Sequence, residues 1–288
     1  MANVDWESLN RKNWDERAPL LPQHAASPDY NIQDFITDPN YLSEVARFDI
    51  PLLGDISGLR CVHLQCHIGT DTLSLARRGA ASVTGLDFSP ASLAEGRKLA
   101  AATHRSGGEK VDFVEASVYD ALSVLPSQAF DLVFTGIGAL CWIPDIRRWA
   151  GVVAGLLRPG GRLFIREAHP MLCALDDNVP REDGRLVVKH PYFERGGQAS
   201  VFDEGSTYVR HEPHEFENTV SAEFSHGMGE IVQALLDAGL QVTGLAEHQS
   251  VPWDAIPGQM EEIGGGEYAL KSERWRVPLT YTLQAVKQ

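Results

Sequence analysis

Cysteine is scarce in this chain. Only Cys61, Cys66, Cys141 and Cys173 occur in 288 residues, and no two form a Cys-x-x-Cys pair. Zinc ribbons and dithiol redox motifs are thereby disfavoured, and buried free thiols in a reducing cytoplasm are expected. Basic charge is also short: 25 Lys and Arg stand against 39 Asp and Glu, a net charge of −14. Arg77-Arg78 and Arg147-Arg148 are isolated pairs rather than a basic cluster. A nucleic-acid backbone or an anionic membrane is a poor partner for such a surface. Long apolar runs are missing too. The uncharged stretch from Leu132 to Ile143 is too short to span a bilayer and ends at Pro144. The N-terminus, with Asp5, Trp6 and Glu7, lacks the basic-then-apolar pattern of a signal peptide. No metal site is expected. In His211-Glu212-Pro213-His214 the proline prevents the helix that would put both imidazoles on one side, and no other cluster offers three ligands.

What is present points to a sizeable core, with 43% hydrophobic residues and no internal repeats. From Leu59 onward strands and helices alternate. Cys61-Val62-His63-Leu64 reads as a first strand, Asp71 to Arg78 as its helix, and Val83-Thr84-Gly85-Leu86 as a second strand. Ser89-Pro90 opens the next helix with a cap residue and a proline at the first helical position. Val111 to Val114, Phe130 to Phe134 and Arg162 to Glu167 follow as strands, the last after the stop-and-turn signal Arg158-Pro159-Gly160-Gly161. Such alternation implies a parallel sheet. A clean amphipathic helix spans Gly229 to Gly239, and two strands, Leu240 to Leu245 and Leu279 to Val286, close the chain, with a loop between them. Four parts are expected: an N-terminal helical cap (1–50), a cofactor-binding core (51–170), a β-rich lid insertion (171–225) and the rest of the core sheet (226–288).

A strand, a small-residue loop at Gln65 to Gly69, a helix, and a second strand ending in Asp87 form a half-site for an adenosine cofactor. The loop and helix N-terminus would meet the charged part of the ligand, and the carboxylate would accept from the ribose hydroxyls. A nicotinamide enzyme would carry Gly-x-Gly-x-x-Gly here, and this chain lacks it.

Leu59 to Glu167, and less strongly the closing helix and strands, resemble the class I S-adenosylmethionine-dependent methyltransferases. That family opens its first loop with an acidic residue and Gly-x-Gly-x-Gly. The matching positions here are His63, Gln65, His67 and Gly69, so only the third glycine is kept. The string from Leu64 to Ser74 is similar to a bacterial branch of small-molecule methyltransferases with this replacement. The resemblance implies an α/β, Rossmann-like, seven-stranded and mostly parallel sheet whose last strand is antiparallel. It implies S-adenosylmethionine as cofactor, contacted by Gln65, His67 and Gly69. Asp71 either caps the first helix or binds the methionine amine. Asp87 holds the ribose and Phe88 packs on adenine. Ser117, in place of an acid, and the Val118 backbone meet the adenine edge, and Thr135 and Gly136 lie beneath the methionine part.

For the acceptor, Glu167 and His169 just past the fifth strand are candidates, with a structural ion pair to Arg166 the alternative for Glu167. His226 is a third candidate, with helix capping or core packing the alternative. Tyr208 and Tyr192 on the lid are further ones. Trp14, Tyr30 and Trp142 would make an aromatic wall or pack in the core. These residues imply a small-molecule acceptor, aromatic or nitrogen-heteroaromatic, of the kind found in secondary metabolism. The second reading is a non-catalytic cofactor-binding scaffold, motivated by the missing acid and glycines. A homodimer is left open.

Overall fold

A computed structural model describes residues 5–23, 31–176, 184–205 and 214–288. Three helices precede the sheet: α1 (Trp6–Arg17), α2 (Ile32–Thr37) and α3 (Glu44–Leu53). Asp5 caps α1 by accepting from Ser8 N, and Ser43 caps α3 by accepting from Ala46 N. The buried stripe of α1 is polar, formed by Asn10, Asn13 and Arg17 at helical spacing.

The alternating region then follows its expected course. It contains β1 (Arg60–Leu64), α4 (Thr70–Arg77), β2 (Ser82–Asp87), α5 (Pro90–Ala102), β3 (Val111–Glu115), the short α6 (Ala121–Val124), β4 (Phe130–Thr135), α7 (Ile146–Leu156) and β5 (Leu157–Ala168). The turn at Arg158–Gly161 ends α7 as expected but sits inside β5, as a bulge between the pairs Phe130–Leu157 and Leu132–Arg162. A one-turn helix, α8 (Pro170–Cys173), leads into the insertion. There β6 (Ser200–Asp203) and β7 (Val220–Glu223) form an antiparallel pair. Of the expected β pieces, Leu186 to Val188 contributes a single bridge, Leu175 to Val188, and Thr207 to Val209 lies outside the described residues.

After α9 (Met228–Asp237) and β8 (Leu240–His248), the expected loop is instead a second small sheet. It has β9 (Ser250–Val251), β10 (Met260–Gly264) and β11 (Glu267–Leu270), in the order β10-β11-β9. Gly264, Gly265 and Gly266 all take positive φ at its hairpin, which is what a glycine run supplies there. This sheet shares an apolar cluster with Leu172, Leu175, Val277 and Leu279. β12 (Thr280–Lys287) closes the chain.

The main sheet has seven strands in the order β3-β2-β1-β4-β5-β12-β8. β12 runs antiparallel to both neighbours, so β8 points the same way as β1 to β5. One face packs Val133, Leu163 and Ile165 on Trp149, Val153, Ile231 and Leu235 of α7 and α9. The other packs Leu132, Phe134 and Phe164 on Leu53 and Leu75 of α3 and α4.

Candidate functional site

β1 delivers the chain into a loop with an unusual backbone. Gln65, His67 and Gly69 take φ of 55°, 52° and 77°. All three lie in the left-handed region, where a side chain costs about 1–2 kcal/mol. Two of the three carry side chains, so contacts must hold the loop. Gln65 Nε2 donates to Ala139 O at 2.8 Å, Cys66 N donates to Leu86 O at 3.0 Å, and His67 N donates to Asp87 Oδ2 at 2.8 Å. Asp87 Oδ1 also accepts from Ser89 N at 2.9 Å, so this carboxylate ties the loops after β1 and β2 together. Burial pushes the Asp87 carboxyl up to about 6, and backbone donors hold it from rising further.

Gly69 is needed for packing inside the fold. A Cβ there would stand 2.6 Å from Phe113 Cζ, and Gly85 and Gly96 would meet the same ring at 2.8 Å. Three glycines from β2, α5 and the loop make room for one phenylalanine.

Over the loop stands an aromatic wall. Trp14 meets the His67 ring edge-on at 5.0 Å and Trp142 at 5.3 Å. Burial lowers His67 to a pKa of about 4, so the ring is neutral near pH 7. Tyr30 and Tyr208 lie outside the described residues. A narrow cleft opens beside the wall. Gln65, Asp87, Phe88, Ser117, Val118 and Trp142 line it, together with Trp6 and Glu7 of α1, which were not expected. Ser117 Oγ donates to Glu7 Oε2 at 3.2 Å. Gln65 Oε1 is buried with no hydrogen-bond partner.

At the end of β4, Thr135 is fully buried and its hydroxyl is unpartnered. Gly136 faces Asp71 Oδ2 and His63 Nε2, each 3.4 Å from where a Cβ would be. Asp71 is not the cap of α4. Gly69 holds the N-cap position without a side-chain bond, and Asp71 accepts from Ser43 Oγ. His63, in the place of the family acid, lies 2.9 Å from Thr72 Oγ1 through Nδ1, and burial lowers its pKa to about 3.

Three of the expected acid–base candidates, Glu167, His169 and His226, are hydrogen-bonded to backbone groups. Glu167 accepts from the amides of Gly138, Ala139 and Leu140 at 2.5–2.9 Å, and from Ala168 N at 2.7 Å. Strand alternation turns its neighbour Arg166 to the opposite face, so the two form no ion pair. His169 caps α8, its Nδ1 accepting from Met171 N at 3.0 Å, while Glu247 lies 3.0 Å from Nε2, off the ring's hydrogen-bonding direction. His226 Nε2 donates to Ile143 O at 2.7 Å and pins the loop after β4 to the start of α9. Tyr192 packs its ring on Gly227 and accepts from Met228 N at 3.3 Å.

On the opposite face lies a buried charged cluster. Arg166 Nη2 pairs with Glu267 Oε2 at 2.8 Å, and its guanidinium stacks 3.5 Å over the Phe48 ring. Asp49, fully buried, has no partner on either oxygen, and burial pushes its carboxyl up to about 8. Among the described residues no group of three metal-ligating side chains comes together, and no helix is long and apolar enough to cross a membrane.

Residues 62–163 match a family model described as a methyltransferase domain. A ubiquinone biosynthesis O-methyltransferase of Xylella fastidiosa is 30% identical over 161 residues, covering 56% of each chain. One of Aeromonas salmonicida is 30% identical over 170 residues, covering 57% of this chain and 62% of that one. The chain thus spans a little over half the length of these curated relatives. Among solved structures, an S-adenosylmethionine-dependent methyltransferase of Mesorhizobium loti aligns with a TM-score of 0.55 at 21% identity, over 84% of this chain and 95% of that one. A geranyl diphosphate C-methyltransferase of Streptomyces coelicolor aligns with a TM-score of 0.58 at 14% identity, over 99% and 100%. Residues 62–163 thus match a methyltransferase domain, and the chain shares the fold of S-adenosylmethionine-dependent methyltransferases.

A narrow cleft lies beside the first loop of this methyltransferase fold. It offers apolar faces at Trp6, Phe88 and Val118, and polar groups at Asp87, Ser117 and Glu7. The buried, unpartnered Gln65 Oε1 is a further group that a ligand could satisfy. Two features, one in the cleft and one on the opposite face, escaped sequence reasoning. Nothing in the sequence marks Glu7, 110 residues from Ser117. Arg166 did carry a signal: a charge within the apolar strand Leu163-Phe164-Ile165 needs a buried partner.

Proposed function

We propose that the protein is an S-adenosylmethionine-dependent methyltransferase acting on a small-molecule acceptor, aromatic and nitrogen-containing. The observation that carries this reading is the first loop. It keeps its left-handed course at Gln65, His67 and Gly69 although two glycines are replaced, and Asp87 closes it against the cleft. Asp87 would hold the ribose, since each carboxylate oxygen keeps acceptor capacity beyond its one backbone donor. Phe88 and Val118 would face the adenine, and Gly136 and Asp71 the methionine end. When bound, S-adenosylmethionine supplies a methyl group already activated on a sulfonium.

The protein's own task is then alignment and exclusion of water. Positioning alone contributes on the order of 7–11 kcal/mol to such reactions. Trp142 lines the cleft, and Trp14 packs edge-on against it. Residues 1–50 and the insertion at 171–225 would act as cap and lid on the core formed by 51–170 and 226–288. Glu167, His169 and His226 are each engaged by backbone groups. That favours an acceptor whose lone pair is ready at neutral pH, such as a ring nitrogen or amine, over one that must first lose a proton. The relatives bear names of O-, N- and C-methyltransferases, so their names do not choose the acceptor atom.

Calorimetry with S-adenosylmethionine, followed by assay of S-adenosylhomocysteine release on indoles, phenols, amines and nitrogen heterocycles, tests the reading. Binding, with turnover on a nitrogen heterocycle, is expected. Asp87→Ala should weaken cofactor binding more than tenfold in a folded protein. Binding without turnover on any acceptor would favour a cofactor-binding scaffold. No binding would sink both.

A further inference from the structure

We propose that Glu7 of α1 is the hydrogen-bond acceptor that recognises the exocyclic amine of the cofactor's adenine, so that the N-terminal helix completes the cofactor pocket. The inference rests on the reading of the cleft as an S-adenosylmethionine site.

The cleft holds two carboxylates, and they are differently employed. Asp87 is fastened by the amides of His67, in the loop after β1, and Ser89, in the loop after β2. Glu7 reaches the cleft from α1 and accepts from Ser117 Oγ at 3.2 Å. One hydroxyl uses one of about four lone-pair sites on a carboxylate. Ser117 thereby orients Glu7 towards the edge of a base lying between Phe88 and Val118. The rim of an adenine distal to its sugar presents an N–H donor at the six position. A carboxylate accepts from that donor, and it repels the carbonyl oxygen that a 6-oxo purine would place there. No Lys or Arg lines the cleft among the described residues. An uncharged base beside a sulfonium suits such a wall better than a phosphate does.

Glu7 is held in place by the docking of α1 on both sides. Asp15 accepts from Ser89 Oγ at 2.6 Å, at the N-terminus of α5. Trp6 packs edge-on against Tyr119 and Phe224 at 6.4 and 5.6 Å. The Asn10 amide makes two hydrogen bonds to the backbone of Ala222 in β7, at 2.9 and 2.8 Å. The same helix therefore touches the cofactor cleft and the β6–β7 pair, so base recognition and docking of the insertion share one rigid element.

The test is titration calorimetry of the full chain with S-adenosylhomocysteine and with S-inosylhomocysteine, which carries a 6-oxo group in place of the amine. The wild type should prefer the amine by about ten- to a hundredfold, the usual worth of a hydrogen bond to a charged group. Glu7→Gln should collapse that ratio to about threefold or less, because an amide can accept from the amine or donate to the oxo group. Glu7→Ala should also lose it, and melting curves would show both variants folded. Equal wild-type affinity for the two ligands would overturn the proposal, as would a ratio kept intact in folded Glu7→Gln and Glu7→Ala. Failure of the wild type to bind either ligand would instead remove the cofactor reading, and the proposal with it.

Discussion

The two faces of the sheet near its carboxyl edge are built on opposite terms. Beside the loop after β1, the carboxylates find partners nearby, and the groups left over, such as Gln65 Oε1 and Thr135 Oγ1, are neutral. Asp87 takes two amides, Glu167 takes four, and three glycines leave a fitted space for Phe113. Around Arg166, partners come from far along the chain and do not balance. Glu267 neutralises the arginine, Asp49 is left over, and Arg166 Nε and Nη1, Glu267 Oε1 and both Asp49 oxygens have no partner. The first region stores a fitted shape. The second stores unpaired polarity, which costs stability until water or a ligand meets it.

The largest effect should come from disturbing the fitted region. Gly69→Ala puts a methyl group 2.6 Å from Phe113 and a side chain at φ +77°. Steric overpacking and left-handed strain together should cost about 3 kcal/mol. Denaturant unfolding of Gly69→Ala, Phe113→Leu and the double variant separates the two contributions. The double variant should be more stable than the summed single changes by about 1 kcal/mol or more, because the smaller side chain vacates the space the methyl needs. Strict additivity would show that only the backbone matters at Gly69.

The charged region should respond to pH in the opposite direction to an ordinary ion pair. The Asp49 carboxyl is held up near 8 in the fold, while the unfolded value is about 3.8. The fold therefore binds a proton that the unfolded chain has released. The stability from this group is complete below about pH 4 and falls away as pH rises to 8. Asp49→Asn removes that slope. The stability difference between variant and wild type should shift in the variant's favour by about 1.4 kcal/mol between pH 6 and pH 7. Parallel stability profiles would mean that Asp49 is ionised and paired with Arg166, and would erase the contrast between the two faces.

What could be read from the sequence divides along the same line. Strands β1 to β5, their helices and the placement of Asp87 follow from apolar periodicity and from spacing within about 25 residues. The aromatic wall was half legible, since Trp14 and Trp142 do meet. Strand alternation tells which face Glu167 takes, but not that three amides of the loop after β4 meet it there. The sheet of β9 to β11 was hidden by strands of two to five residues, too short for periodicity to register. Asp49, Arg166 and Glu267 come from a helix, a central strand and a hairpin, 101 residues separating the ion-paired two. Only the fold brings such groups together.

The smallest effect is the most specific test of the fitted region. Gln65→Gly relieves left-handed strain of about 1–2 kcal/mol. It forfeits the hydrogen bond to Ala139 O, worth about 0.5–1.5 kcal/mol. It also adds the entropy of a glycine in the unfolded chain, about 0.5–1 kcal/mol. These terms nearly cancel, so the variant should unfold within about 1 kcal/mol of the wild type. Its affinity for S-adenosylhomocysteine should nevertheless fall severalfold, since the buried Gln65 Oε1 at the cleft is removed. Unchanged affinity with unchanged stability would assign Gln65 to tolerating the turn. Lower affinity alone would show that the side chain replacing glycine was kept for the ligand, against the strain it imposes.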